Sequence, residues 1–149
     1  MLPALLAEVK GLRAAMEQMS SAGPRVQLAL GRLQLQEQRI NTSIKRADDA
    51  RTRLAQLQRE EAELQQQVRG AESELKERQT HASADGPTVE QLAGMIAHEK
   101  QRLARHSAEV QRVAAEEAVN ATEVATEQAR WTEINQRLED LERMLRPLK

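Results

Sequence analysis

The sequence predicts an all-α fold, namely a long antiparallel helical hairpin of the coiled-coil type with a short N-terminal helix packed on its base. Aromatic residues make up 1% of the 149-residue chain, which has one Trp and no Phe, Tyr or Cys. Its six Gly and four Pro leave little material for the turns of a β fold. Long stretches rich in Ala, Leu, Glu and Arg repeat their apolar residues at helical spacing, which is typical of long helices.

The first predicted helix covers about residues 2–20 of a single domain that spans residues 1–149. Its apolar residues alternate at spacings of three and four, so they form one stripe along one face. That stripe consists of Leu2, Leu5, Val9, Leu12, Met16 and Met19. The segment from Ser20 to Pro24 combines Gly-Pro with small polar residues. We expect it to turn the chain and to end the first helix.

The second helix is predicted over about residues 25–80 and the third over about residues 89–146. Apolar residues recur along both helices with a period of seven, a pattern that favours coiled-coil packing. One series in the third helix is Ile96, Leu103, Val110, Val124, Trp131, Leu138 and Leu145, with Glu117 at the remaining position.

The break between these helices, at residues 81–88, contains Gly86 and Pro87 and predicts a turn. Thr88 and Gln91 have the spacing of a capping box, in which each side chain bonds the backbone N–H of the other residue. The third helix should therefore start at about Val89.

The charge pattern tests the hairpin. If the chain reverses at about residue 84, two residues face each other when their numbers sum to about 168. In that register a basic stretch of the second helix, 39–59, runs beside an acidic stretch of the third, 109–127. Nearer the turn the second helix is acidic, at 60–74, and the facing part of the third helix is basic. The alternative is that charge alternation in any helix rich in Glu and Arg would produce some of these matches.

Leu28 and Leu35 form a second apolar set near the start of the second helix. The first helix, folding back at Gly23 and Pro24, would cover this set and make a three-helix base. The alternative is that the set is a dimer face, which would give a four-helix assembly, because heptad patterns alone do not fix the oligomeric state.

Polar residues interrupt the apolar seam and predict a structural polar layer in the hairpin. Its members are Arg51, Glu117, Asn120, Glu61 and His106. Arg51 and Glu117 should form a buried or half-buried ion pair that penalises register slips. The alternative is that Arg51 extends to solvent and Glu117 faces water. Trp131, the single aromatic, is interpreted as a core residue opposite about residue 37.

No catalytic, cofactor-binding or metal-binding constellation is found in the sequence. His98 and Glu99 begin like a zinc-protease helix, but the second histidine of that motif would fall at Arg102. We therefore expect no enzymatic activity, no cofactor and no small-molecule substrate. A basic patch comprises Lys100, Arg102, Arg105, His106 and Arg112. We expect this patch to pair with the acidic stretch at 60–74 and not with nucleic acid.

The predicted function is that of a non-enzymatic coiled-coil spacer, adaptor or assembly element. Its protein partners would contact the charged faces or the tip at 81–88, and a homodimer is one such assembly. The alternatives are a component of the cell envelope or a membrane surface, and a nucleic-acid-associated protein. The formal net charge is −1 and the apolar N-terminus is short. We expect a soluble, cytoplasmic protein, or an envelope protein if an export leader precedes this sequence.

Overall fold

The structure, a computed structural model, describes residues 2–81 and 85–145, and of residues 15 and 18–22 it describes the backbone alone. These residues form two helices and no strand, with α1 at Leu2–Thr80 and α2 at Val89–Leu145. The two helices pack against each other as an antiparallel hairpin, so the predicted fold class is confirmed. Their contacts divide the chain into a first unit, Met1–Ile44 with Thr122–Lys149, and a second unit, Lys45–Ala121.

The structure corrects the predicted break between the first and second helices. Residues 2–20 are helical as predicted, but α1 continues through Pro24 without interruption. Helices commonly end at a residue with positive φ, and among the described residues only Gly86 has one. The seven-residue spacing also runs in phase across this region, from Leu12 to Val26 and Leu33. The apolar pattern thus keeps the helix continuous, although Pro24 removes one backbone hydrogen bond from it.

The expected packing of the N-terminal segment on the base of the hairpin is not observed. Because α1 does not reverse at Pro24, residues 2–16 cannot lie back along residues 25–44 of the same helix. Leu2 is 78% exposed and Leu12 is 64% exposed. Leu28 and Leu35, which the N-terminal helix was expected to cover, are exposed as well.

The first unit pairs α1 with the C-terminal part of α2 through half-buried apolar side chains. These are Val26, Leu33 and Ile40 of α1 and Ile134, Leu138 and Leu141 of α2. The buried side chains that the structure describes in this unit are polar, namely Gln36, Ser43 and Glu127. Polar groups therefore occupy the most protected positions of this part of the hairpin.

The second unit holds the apolar core. Every apolar side chain that is buried among the described residues belongs to this unit: Ala47, Ala50, Val68, Leu92, Ile96, Val110 and Val113. Val113 is the most buried of them, with 0% of its surface exposed. Most of these side chains are small, which allows the two helix backbones to approach closely.

The start of α2 confirms the predicted capping box. The backbone N–H of Thr88 donates to Gln91 Oε1 at 3.0 Å, and the backbone N–H of Gln91 donates to Thr88 Oγ1 at 3.2 Å. The Thr88 carbonyl then accepts the first helical hydrogen bond, from Leu92 N at 2.9 Å. The two side chains satisfy N–H groups that have no partner inside the helix, and α2 begins at Val89 as expected.

The segment before the cap is held against the end of α1 by Arg78. Its guanidinium donates from Nη1 to the Pro87 carbonyl at 2.6 Å, while Nε lies 3.5 Å from Glu74 Oε1. Gly86 has a φ of 107°, and a Cβ at this position would collide with the Arg78 guanidinium. The positive φ favours glycine at this turn, whereas the flexible Arg78 side chain could move away from an added Cβ.

We predict that Thr88→Ala destabilises the protein by about 1 kcal/mol, because the Gln91 N–H loses its acceptor. The measurement is urea unfolding followed by circular dichroism at 222 nm. Thr126→Ala is the matched control, since the Thr126 hydroxyl donates to the Thr122 carbonyl within α2 and caps nothing. We expect that control to be neutral or slightly stabilising. Equal losses in the two variants would contradict a capping role for Thr88.

Candidate interaction surface

Arg51 and Glu117 meet across the hairpin, at the edge of the seam. Arg51 Nε lies 3.7 Å from Glu117 Oε1. The Arg51 side chain is 66% exposed and that of Glu117 is 25% exposed. Arg51 also lies 3.7 Å from Asp48 of its own helix. The carboxylate thus occupies the more protected side of the pair while the guanidinium extends into solvent.

His106 and Glu61 lie near each other in the second unit but bond to different groups. His106 Nε2 is 2.7 Å from the Leu57 carbonyl, so this nitrogen carries the proton in that contact. The same nitrogen lies 3.9 Å from Glu60. Glu61 instead accepts a hydrogen bond from the hydroxyl of Ser107. The histidine therefore ties α2 to the backbone of α1, a contact that needs no charge on the ring.

Asn120 donates from Nδ2 to the Arg46 carbonyl at 3.4 Å, so it too bonds the backbone of the facing helix. It lines an open groove of about 370 Å³ in the second unit. The groove is also lined by Arg46, Asp49, Ala50, Arg53, Val113 and Glu116. Its charged lining has both signs, which favours no single class of ionic ligand.

Two further ion pairs connect the helices of the second unit, in addition to Arg51 and Glu117. Lys100 Nζ lies 2.6 Å from Glu72 Oε1, and Arg53 Nη2 lies 2.8 Å from Glu109 Oε1. Both pairs join stretches of opposite charge that the hairpin register places side by side. In each pair the two residue numbers add up to within about six of 168, the value expected if the chain reverses near residue 84.

Other members of the basic patch on α2 contact carboxylates of their own helix. Arg102 Nη1 lies 3.0 Å from Glu99, and Arg112 Nη2 lies 2.7 Å from Glu109. Arg112 also lies 3.7 Å from Glu116. The positive charge of the patch is therefore largely balanced where it sits.

Glu109 is the carboxylate on which several of these cations converge. Hydrogen bonds from Arg112 lower the pKa of the Glu109 carboxyl below its ordinary value, and partial burial opposes this effect. The positive charges of Arg112 and Arg53 lower that pKa further. The same hydrogen bonds raise the pKa of Arg112. Both side chains are thereby held in their charged forms.

A buried polar contact in the first unit is absent from the sequence-based expectations. Gln36 is 3% exposed, and its Nε2 donates to the Glu127 carbonyl at 2.8 Å and also to the Glu127 carboxylate. The carboxylate accepts a further hydrogen bond from Arg130 at 3.0 Å. Gln36 lies three residues after Leu33 and four before Ile40, so the sequence places it on the apolar face of α1, but this position alone does not distinguish a buried glutamine from one at the margin.

Trp131 lies opposite Glu37, close to the position expected for it. Its ring N–H lies 3.4 Å from Glu37 Oε1, and the side chain is half-buried. The indole therefore packs with its apolar part against the hairpin while its polar edge reaches a carboxylate at the rim.

Exposed apolar side chains follow one face of α1 near its N-terminus. We define them as the N-terminal stripe: Leu2, Leu5, Leu6, Val9, Leu12 and Met16. These side chains are between 53% and 78% exposed. Single exposed apolar residues are ordinary on protein surfaces, but a contiguous series on one helix face marks a contact site. Met19 belongs to the same sequence pattern, but the structure describes only its backbone.

The remaining predicted contact surface was the tip at residues 81–88, of which 82–84 lie outside the described residues. Elsewhere in the described chain no group of three or more His, Asp or Glu side chains is arranged to hold a metal ion. Within the same residues, neither helix has a stretch apolar enough to cross a membrane.

Comparison of the chain with protein-family models, with curated proteins and with solved structures finds no match.

We predict that the Gln36 contact stabilises the hairpin more than the Arg51 contact. Gln36→Leu leaves the buried Glu127 carboxylate short of a donor and should cost about 1–3 kcal/mol. Arg51→Leu should cost about 0–1 kcal/mol, because solvent screens the exposed guanidinium. Two double-mutant cycles measure the coupling energies by urea unfolding. One combines Gln36→Leu with Glu127→Leu, and the other combines Arg51→Leu with Glu117→Leu. A larger coupling for Arg51 with Glu117 would contradict this ranking.

We predict that Glu109 contributes to stability only above acidic pH. Its folded-state pKa lies below the ordinary value of 4.5, so its contribution is present above that pH and is lost as the pH falls through the folded-state pKa. Glu109→Gln should therefore lower the Tm by at most a few degrees at pH 7 and by less at about pH 3. Glu142→Gln, at an exposed position of α2, is the control. A decrease of the same size at both pH values would contradict the ionic role.

Proposed function

We propose that the protein is a non-enzymatic coiled-coil element that works through protein–protein contacts, as a spacer, adaptor or assembly unit. In this proposal the hairpin is the rigid part and the N-terminal stripe is the principal contact surface. The observation that carries the proposal is the exposure of this stripe, at 53–78% for each of its side chains. A helix with one apolar face gains stability when that face is covered, so the stripe favours a partner.

The ionic groups of the second unit support a structural role. Glu109 and Arg112 have their pKa values shifted away from neutrality, toward the charged forms. Acid–base catalysis requires the opposite shift, toward the working pH. The contacts of Lys100 with Glu72 and of Arg53 with Glu109 connect α1 to α2, which is the task expected of charges in a coiled coil.

A protein partner agrees better with the charge distribution than a nucleic acid or an anionic membrane does. Three cations of the basic patch lie within ion-pair distance of carboxylates of this chain. The segment that carries the stripe has two acidic and two basic residues, Glu8, Lys10, Arg13 and Glu17. It therefore has no net charge to attract anionic lipid.

The test replaces two stripe residues by lysine, Leu5→Lys with Leu12→Lys. Tagged full-length chains would be used to capture proteins from an extract of the source cells, and each captured protein would be identified, purified and bound again. We expect at least one purified protein, either this chain itself or another, to lose about 100-fold or more in affinity for the variant. The hairpin should unfold at an unchanged temperature, because the stripe lies outside its core.

The control is Ala7→Lys with Ala14→Lys, which places the same charges on another face of the same segment. We expect the control to bind as the unmodified chain does. Flotation with vesicles of neutral and anionic lipid, and titration with duplex DNA at low and high salt, test the two alternatives. Stripe-dependent flotation or salt-dependent DNA binding, with no stripe-dependent protein partner, would overturn the proposal.

A further inference from the structure

We propose that the N-terminal stripe is covered by the same segment of a second copy of this chain, lying antiparallel to it. This inference rests on the proposed function and identifies the partner. It starts from the continuity of the apolar seam along α1. Leu5 and Leu12 are separated from Val26, Leu33 and Ile40 by multiples of seven residues, so all five share one heptad position.

One part of this seam is covered within the chain and the other part is not. Val26, Leu33 and Ile40 are half-buried in the first unit, whereas Leu5 and Leu12 are 63% and 64% exposed. Two bonds set the register of this unit: the residue numbers of Glu37 and Trp131 sum to 168, and those of Gln36 and Glu127 sum to 163. Leu145, the last described residue of α2, then lies level with about residues 18–23. The described part of α2 therefore ends within about seven residues of Met16, the nearest residue of the exposed stripe.

The position of α2 decides the direction of the second copy. A helix that lay parallel to the stripe would run toward residue 26 on the face that α2 already occupies. An antiparallel helix runs the other way, and it lies along the part of α1 that the described part of α2 does not cover. Its contacts would be of the same kind as those between α1 and α2, with one antiparallel helix succeeding another along a continuous seam.

The spacing of the stripe supports this arrangement. Residues of the two copies lie level when their numbers sum to about 21. Leu5 then meets Met16 of the second copy, and Val9 meets Leu12, so both pairs bring apolar side chains together. Glu8 lies level with Arg13 of the second copy. No pair of like charges is brought level in this register.

The available area predicts a weak dimer. Each large apolar side chain can lose on the order of 100 Å² of apolar surface. Six such side chains from each of two copies give about 1,200 Å², at the lower end of specific interfaces. We therefore expect dissociation in the micromolar range.

The first experiment is sedimentation equilibrium of the full chain over roughly 1–500 µM, a range that brackets micromolar dissociation. We expect a concentration-dependent equilibrium between monomer and dimer. Leu5→Lys with Leu12→Lys should weaken the dimer by at least about 100-fold, whereas Ala7→Lys with Ala14→Lys should not. Circular dichroism checks that all variants keep the helical content of the hairpin.

The second experiment tests the direction, which is straightforward because the chain has no cysteine. A mixture of Leu5→Cys and Met16→Cys chains should form a mixed disulfide under mild oxidation. Leu5→Cys chains alone should not, because residues 5 of two antiparallel copies are about 16 Å apart along the axis and a disulfide needs Cα atoms within about 7 Å. Crosslinking of Leu5→Cys chains alone would show a parallel pair and overturn the proposal.

The remaining outcomes separate this inference from the proposed function. A monomer at every concentration overturns the inference, and the proposed function then stands if a different purified protein binds in a stripe-dependent manner. A monomer with no such protein overturns both. A dimer that the control variant disrupts as strongly as the stripe variant places the contact elsewhere and overturns the inference.

Discussion

The burial of small apolar side chains between α1 and α2 is the contact on which the rest of the hairpin depends. It is concentrated in the second unit, around Val113, where alanine and valine allow the backbones to approach. A small residue offers little surface, so each contributes less to stability than a buried leucine or phenylalanine would. Close approach offsets part of this loss, because it brings polar side chains within bonding distance of the facing backbone. His106 and Asn120 both use that distance.

The polar contacts of the interface differ in how far water is excluded from them. At Gln36 and Glu127 the bonded groups are almost completely buried. A shift in register would therefore leave the Glu127 carboxylate buried without the Gln36 donor. At Arg51 and Glu117 the guanidinium remains in water and can follow a shifted carboxylate at little cost. Register is therefore specified more strictly by an uncharged amide donor in the first unit than by the ion pair in the second.

Much of the hairpin could be predicted because its signals are local. Thr88 and Gln91 act within four residues of each other, and the antiparallel register follows from charge and heptad spacing along the same helices. Pro24 was misjudged because a Gly-Pro pair is a frequent helix terminator, and its effect here is overridden by an apolar pattern that continues in phase on both sides. Gln36 was missed because a single glutamine on an apolar face is indistinguishable by pattern from one at the margin. Only the position of Glu127 makes it a buried donor.

The place of Pro24 within α1 has a consequence for how the chain folds. Helix propagation depends on successive N–H groups bonding to carbonyls four residues back, and proline interrupts this cooperative chain. The turns before Pro24 are thus coupled less strongly to those that follow, and the apolar face that they carry is exposed to water. Most helical stability in proteins comes from the packing of an apolar face, so these turns gain less than the covered part of α1 does. Amide hydrogens of these turns should exchange faster than those of the hairpin core. A molecule that binds this face also orders the segment, and the free energy cost of that ordering reduces the affinity.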